Sequence, residues 1–136
     1  MALAMFVSLI AQFLVGIAAN LWVRIPSDHP GVSANYFVGT LGGVWWALTQ
    51  AALLLQVHVA LGVVVGVGSV VLGLRAFVDR RSRGIWWPIV GWVGVAMAAA
   101  NGAAFLNYGH AFSSMLMSVG FAIAILSYAM WLRGPL

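Results

Sequence analysis

The sequence contains no cysteine, lysine or glutamate, and its charged residues are six arginines and two aspartates, 6% of the 136 residues. Without cysteine there are no disulfides, no thiol redox chemistry and no thiolate-bound metal. A soluble domain carries about a quarter charged residues, because its folded surface faces water. This shortage of charge excludes an ordinary soluble domain. The formal net charge of +4 comes from scattered arginines, which excludes a nucleic-acid-binding surface.

What the sequence has in abundance is apolar residues, at 64% of the chain. A helix needs about 20 mostly apolar residues to cross the hydrocarbon core of a bilayer, and four runs meet this requirement. They predict helices over about 3–24, 44–77, 85–106 and 110–132. The expected fold is therefore an all-α integral membrane protein, a single domain over 1–136 built as a four-transmembrane-helix bundle in contact with lipid.

Two connecting segments separate these predicted helices. Residues 25–43 are rich in Gly, Ser, Asn, Asp and Pro and predict an outer loop, and 75–84 predicts a loop on the other side. The second apolar run has 34 residues and would be about 50 Å long as one helix, which exceeds a core of about 30 Å. We therefore expect this helix either to tilt or to project its first turns above the membrane, with the outer edge near Leu55. The first run lacks a basic start and is too long for a signal peptide, so we expect a retained helix.

The arginines predict the orientation of the chain. With four spans, both termini and the 75–84 loop share one side, and that side holds most of the arginines: Arg75, Arg80, Arg81, Arg83 and Arg133. The other side has only Arg24, which Asp28 offsets. Positive-inside counting places both termini and the 75–84 loop in the cytoplasm. The lack of lysine beside abundant Ala, Gly, Val and Arg is typical of a high-GC bacterial genome, so we expect a multi-pass protein of the bacterial inner membrane.

Small residues on the predicted second and third helices indicate where helices touch. In lipid, close helix contact depends on small side chains that let backbones approach. The second helix has Gly62-x-x-x-Gly66, and the third has a series of four small residues: Gly91, Gly94, Ala98 and Gly102. We expect these positions to form buried faces of the bundle.

Two histidines are the main candidates for chemistry, because the charged residues of the predicted helices, Arg24 and Arg75, lie only at helix ends. His58 lies 17 residues before Arg75 and His110 lies 23 residues before Arg133, about 25 and 35 Å along their helices. Both are therefore expected in the outer third of the membrane. Two neutral imidazoles at comparable height on different helices are what bis-histidine ligation of one haem b requires.

Neighbouring residues fit this hypothesis. Gly62, one turn after His58, would give a porphyrin edge room to lie against the backbone. Arg24 is on the correct side to pair with a haem propionate.

The segment Gln56-Val-His58-Val-Ala-Leu-Gly62, with one histidine in the second helix and one in the fourth, resembles small four-helix membrane cytochromes b. It is also similar to one half of haem A synthase-type bundles. The resemblance covers the arrangement of the chain, and it implies one haem b near the outer side, ligated by His58 and His110, with electron transfer to or from quinol or a partner. The chain departs from these families because His110 begins its helix, and because the first and third helices have no histidine for a second haem.

Other interpretations of these polar residues remain open. A histidine near the interface often only hydrogen-bonds a neighbouring helix, and His29, expected on an exposed loop, is not predicted to bind anything. Three histidines could hold Zn or Cu, but only if this loop folds down into the bundle. Gln12 and Asn20 share a helix face and are predicted to bond across helices. Two methionines near His110, Met115 and Met117, offer thioethers, although methionine in an apolar helix commonly just fills space.

Two further functions compete with haem binding. One is a non-enzymatic structural or accessory subunit, or an assembly factor, of a larger membrane complex. The other is a small channel or transporter formed by a homo-oligomer, which the absence of charge within the spans disfavours.

Overall fold

The computed structural model describes residues 1–78 and 85–134, and it is all-helical there. The described residues form five helices: α1 (Ala2–Trp22), α2 (Tyr36–Thr49), α3 (Leu53–Val78), α4 (Trp86–Tyr108) and α5 (Ala111–Leu132). Four of them, α1, α3, α4 and α5, are long and apolar enough to cross a membrane, which confirms the expected number of candidate spans. α3 continues into the predicted 75–84 loop, and residues 79–84 of that loop lie outside the described part of the chain.

The four long helices form a bundle in which each contacts two neighbours. α1 and α4 each pack against both α3 and α5, whereas in neither diagonal pair, α1 with α4 or α3 with α5, do Cα atoms of residues 1–78 and 85–134 approach within 8 Å. Because the backbones of the diagonal pairs stay apart, the centre of the bundle must be filled by side chains or left open.

The α4–α5 pair is the most closely packed, and glycine makes this possible. A Cβ at Gly94 would lie 2.7 Å from the carbonyl oxygen of Gly120, and a Cβ at Gly91 would lie 2.7 Å from the ring of Tyr128. Gly91, Gly94 and Ala98 are all buried, which confirms the expected contact face at these three positions, while Gly102 is half-buried. Gly109, with φ of 64°, closes α4 in the left-handed conformation and turns the chain into α5.

The segment between α1 and α3 corrects the predicted outer loop and the predicted second helix. α2 occupies residues that were divided between the loop 25–43 and the helix 44–77. Its first turn is capped by Asn35, whose side chain accepts a hydrogen bond from the amide of Val38 at 3.1 Å. The backbone then breaks, and α3 begins at Leu53 rather than at residue 44. At the break, Gln56 Nε2 donates to the carbonyl of Ala51 at 3.0 Å.

His29 fastens this segment to the bundle, and its position corrects the prediction of an exposed loop residue. It is only 4% exposed, and its ring stacks on Trp46 with centroids 4.0 Å apart. Its Nδ1 accepts a hydrogen bond from the amide of Gly31, so Nε2 donates to the carbonyl of Leu106 at 2.9 Å. A polar residue with both nitrogens satisfied can be buried at little cost, which the polarity of the segment alone did not reveal.

Two apolar clusters divide the bundle along its length. The first lies towards the end where α3 and α5 reach Arg75 and Arg133, which we call the arginine end. It contains Met5, Leu9, Val65, Leu72, Val95, Ala124 and Tyr128. The second lies at the loop end, where residues 23–52 pack on α3 and α4. It contains Trp46, Ala47, Leu55 and Leu106.

Candidate functional site

A cavity of about 540 Å³ occupies the interior of the bundle between the two clusters. α1, α3, α4 and α5 all contribute to its lining, which is mostly apolar. Binding sites for small molecules commonly measure about 300–1,000 Å³ and combine an apolar lining with a few polar groups. The cavity is therefore large enough for a sizeable small-molecule ligand.

Small residues keep this space open. Gly66 lines the cavity, and a Cβ built there would meet no atom within 4 Å. Four small residues of α4 line it as well: Ala98, Ala99, Gly102 and Ala103. The expected helix contact at Gly62-x-x-x-Gly66 is therefore wrong at Gly66, which faces open space. Gly62 does make a close contact, with the side chain of Gln12 on α1.

His58 lines the cavity, as the sequence predicts for a functional residue, and its ring lies against α1. A Cβ at Gly16 would lie 2.8 Å from His58 Cε1. One turn away, α3 supplies the glycine and α1 the polar side chain: a Cβ at Gly62 would lie 3.1 Å from Nε2 of Gln12. Each helix thus inserts one polar side chain over a glycine of the other, and both polar groups are held at the cavity wall.

Both of these polar groups have a buried atom with no partner. Nδ1 of His58 and Oε1 of Gln12 make no hydrogen bond in the described part of the chain. Gln12 is only 3% exposed. A buried polar atom without a partner costs about 1–3 kcal/mol. These two atoms are therefore energetically unfavourable features of the α1–α3 contact beside the cavity.

The second predicted ligand, His110, lies elsewhere. It is the N-cap residue of α5, its side chain is exposed, and its ring stacks on Tyr108 with centroids 5.7 Å apart. It does not line the cavity. A residue at a helix start need not face the bundle interior. The structure thus does not place His110 opposite His58.

Of the two other predicted site residues, one lines the cavity and one does not. Gly62 lines the cavity, whereas Arg24 is exposed and lies outside the lining. The alternative three-histidine metal site is not formed, because no group of three metal-binding side chains occurs within 1–78 and 85–134. Both nitrogens of His29 are already engaged in hydrogen bonds.

Two residues of the cavity wall were not predicted to be functional. Gln12 was expected only to bond across helices, and Met117 was expected to fill space. Met117 lines the cavity from α5, and its Sδ lies 3.1 Å from the position of a Cβ at Gly102. Gln12 is conspicuous as a polar residue in an apolar helix, but the sequence does not show that it or Met117 lines a cavity.

Comparison with known proteins identifies no relative of this chain. No protein-family model matches the chain, and no curated protein or solved structure is significantly similar to it. What the cavity binds must therefore be inferred from its own residues.

Proposed function

We propose that this chain binds one haem b inside the helix bundle, with His58 as an iron ligand, and serves in electron transfer with quinol or a partner protein. The observation that supports this most is His58 itself. Its imidazole lines a largely apolar cavity of about 540 Å³. Imidazole is the commonest haem ligand in membrane cytochromes, and bound haem supplies one-electron redox chemistry.

The cavity residues fit one histidine ligand rather than two. Gly16 supports the ring of His58 and fixes its orientation, while Gly66 leaves room beside it. Two polar residues towards the loop end, Asn20 and Ser27, also line the cavity and can face the polar groups of a ligand. Asn107 lines it too, but its side chain is already hydrogen-bonded to the backbone of Ser33. His110 and Arg24 are outside the lining, so they are not included in the proposed site.

The setting in the membrane belongs to the same proposal. We place the arginine end of the bundle in the cytoplasm and the loop end on the outer side of a bacterial plasma membrane. This follows from the excess of arginine near the ends of α3 and α5 and in the segment between α3 and α4.

An accessory subunit without a cofactor is the second candidate, and the surface of α2 favours it. Phe37, Leu41 and Trp45 recur every four residues along this helix and are 74%, 71% and 67% exposed. α2 is not one of the four candidate spans. An exposed apolar face of this kind can lie in the lipid interface or against another membrane subunit.

Absorbance of the purified protein tests haem binding directly. The protein should be expressed in haem-replete bacteria and purified in detergent, where we expect a Soret band and a shift on reduction with dithionite. His58→Ala should abolish the band, and His110→Ala is the matched control that should keep it. His58→Gly should regain the band when imidazole is added, which separates loss of a ligand from loss of the fold. A folded, colourless wild-type protein, or a Soret band that survives His58→Ala, would contradict the proposal and leave the accessory subunit.

A further inference from the structure

α2 stays at the loop end of the bundle over its whole length. At its first residue, the ring of Tyr36 stacks on that of Tyr108, the last residue of α4, with centroids 6.2 Å apart. Near its other end, Trp46 shares an apolar cluster with Leu106 of α4 and with Leu55 in the first turn of α3. α2 therefore lies across the ends of α4 and α3 and does not run alongside their middle turns.

This level coincides with the boundary of the hydrocarbon core. Leu55 lies 20 residues before Arg75, which corresponds to about 30 Å along α3. Arg75 lies in the last turn of that helix, at the opposite end of the bundle. Because the hydrocarbon core of a bilayer is about 30 Å thick, a bundle with Arg75 at one boundary has α2 at the other.

The two faces of α2 differ in what covers them. One face is buried against the rest of the protein and contains four residues: Gly39, Gly43, Trp46 and Ala47. The opposite face carries Phe37, Leu41 and Trp45, and all three of these large side chains are exposed. This second face needs an apolar environment that the chain itself does not provide.

The polar groups of α2 favour lipid over water or another protein. The helix has no charged residue. The hydroxyl of Thr40 donates to the carbonyl of Tyr36 at 2.6 Å, and that of Thr49 donates to the carbonyl of Trp45 at 2.8 Å. Hydroxyls bonded to their own helix offer little to an outside partner. Protein interfaces carry about one hydrogen bond per 100–200 Å², whereas acyl chains require none.

The exposed apolar surface of the spans continues to the same level. Leu53 and Val57, in the first turns of α3, are 74% and 44% exposed, and Trp22, the last residue of α1, is 76% exposed. The exposed Trp45 and Tyr36 of α2 belong to the two residue types that are enriched where a membrane meets water. The exposed face of α2 thus extends a surface that already suits lipid.

We propose that α2 is an interfacial helix, which lies in the lipid boundary at the loop end with Phe37, Leu41 and Trp45 inserted among the acyl chains. This inference does not depend on haem binding. It gives the fifth helix a role in fixing the depth of the bundle. Because Val44 of the same helix lines the cavity, the lipid contact also holds one part of the cavity wall in place.

Spin labelling in vesicles of phosphatidylethanolamine and phosphatidylglycerol tests this placement. The sequence has no cysteine, so a nitroxide can be attached at one introduced thiol. Leu41→Cys carries the label on the exposed face of α2, where the substitution removes no buried contact. Val64→Cys, 63% exposed in the middle of α3, is the matched lipid reference. Ala34→Cys, exposed before α2, is the aqueous reference.

The label at Leu41→Cys should collide with oxygen as readily as the label at Val64→Cys. It should lose most of the collisions with a water-soluble nickel chelate that the label at Ala34→Cys makes. Collisions with the chelate as frequent as at Ala34→Cys would place α2 in water and overturn the inference. Shielding from both reagents would also overturn it and put a protein surface on α2. Spectral broadening between labels would then identify a second copy of this chain, and its absence would favour another subunit.

Discussion

The imidazole of His58 lies directly on the backbone of Gly16, so close that a Cβ on the glycine would come within 2.8 Å of Cε1. Gln12 makes the reverse contact with Gly62 one turn away. These two contacts interlock α1 and α3 at a fixed depth. They also hold an imidazole at the cavity wall, where an unsupported side chain would have several rotamers.

The contact predicts that Gly16→Ala displaces the His58 ring. The new Cβ meets a rigid aromatic ring, which cannot move aside without leaving its position at the cavity. We expect a loss of about 1–3 kcal/mol in the free energy of unfolding, as for an overpacked core, together with reduced haem occupancy. Thermal unfolding in detergent and the ratio of haem to protein measure the two effects.

Gly68→Ala is the matched control for this substitution. Its Cβ would also come within 2.8 Å of another atom, but that atom is Cε at the flexible end of Met5. Because Met5 can change rotamer, Gly68→Ala should leave haem occupancy unchanged. Equal losses in the two variants would show that the position of His58 is not what matters.

Gly66 allows the cavity to be filled without disturbing the helix packing. A Cβ there meets nothing within 4 Å, so Gly66→Leu should fold and place its side chain in open space. We expect unchanged or slightly higher thermal stability with at least a tenfold loss of ligand affinity, since the added side chain competes for the volume that the ligand needs. The comparison variant is Gly94→Leu, which should unfold, because its Cβ would strike the backbone at Gly120. Full binding by Gly66→Leu would place the ligand outside this cavity.

Replacing His29 should lower the stability of the loop end without affecting ligand binding directly. Its ring makes two hydrogen bonds and stacks on Trp46, so His29→Ala removes all three interactions and leaves the carbonyl of Leu106 without its donor. We expect about 1–3 kcal/mol of destabilisation and faster proteolysis between α1 and α2. Asp28→Ala, an exposed neighbour, is the control and should behave like wild type. A spectrum that loses its haem features in His29→Ala without loss of stability would contradict a structural role.

The spans could be predicted from the sequence because their apolar runs are long and Arg75, the charged residue within them, lies in the last turn of α3. The contact face of α4 could be predicted for the same kind of reason, since glycines spaced along a membrane helix mark close approach. α2 could not. Its residues are as apolar as those of α3, so one uninterrupted run concealed the break at residues 50–52, where Gln56 donates a hydrogen bond to Ala51. The start of α2 depends on the cap by Asn35.

The site was predictable only in part, because counting along a helix gives height but not direction. His58 stood out as a polar residue in the middle of an apolar run, and it does line the cavity. His110 has a similar height but begins its helix and is exposed. Gln12 and Met117 were not predicted to be site residues because neither is ionisable. The helix packing brings both to the wall of the cavity.

The orientation of the bundle can be tested by labelling, because the natural sequence has no cysteine and a single introduced thiol reports its own location. Ala34→Cys places a thiol at an exposed position before α2, and Ser82→Cys places one in the arginine-rich segment after α3. If that segment faces the cytoplasm, a membrane-impermeant maleimide should label Ala34→Cys in cells whose outer membrane has been opened. It should label Ser82→Cys only after the inner membrane is permeabilised. The reverse pattern would invert the proposed topology and move His58 to the cytoplasmic half of the membrane, where its redox partner would have to be sought instead.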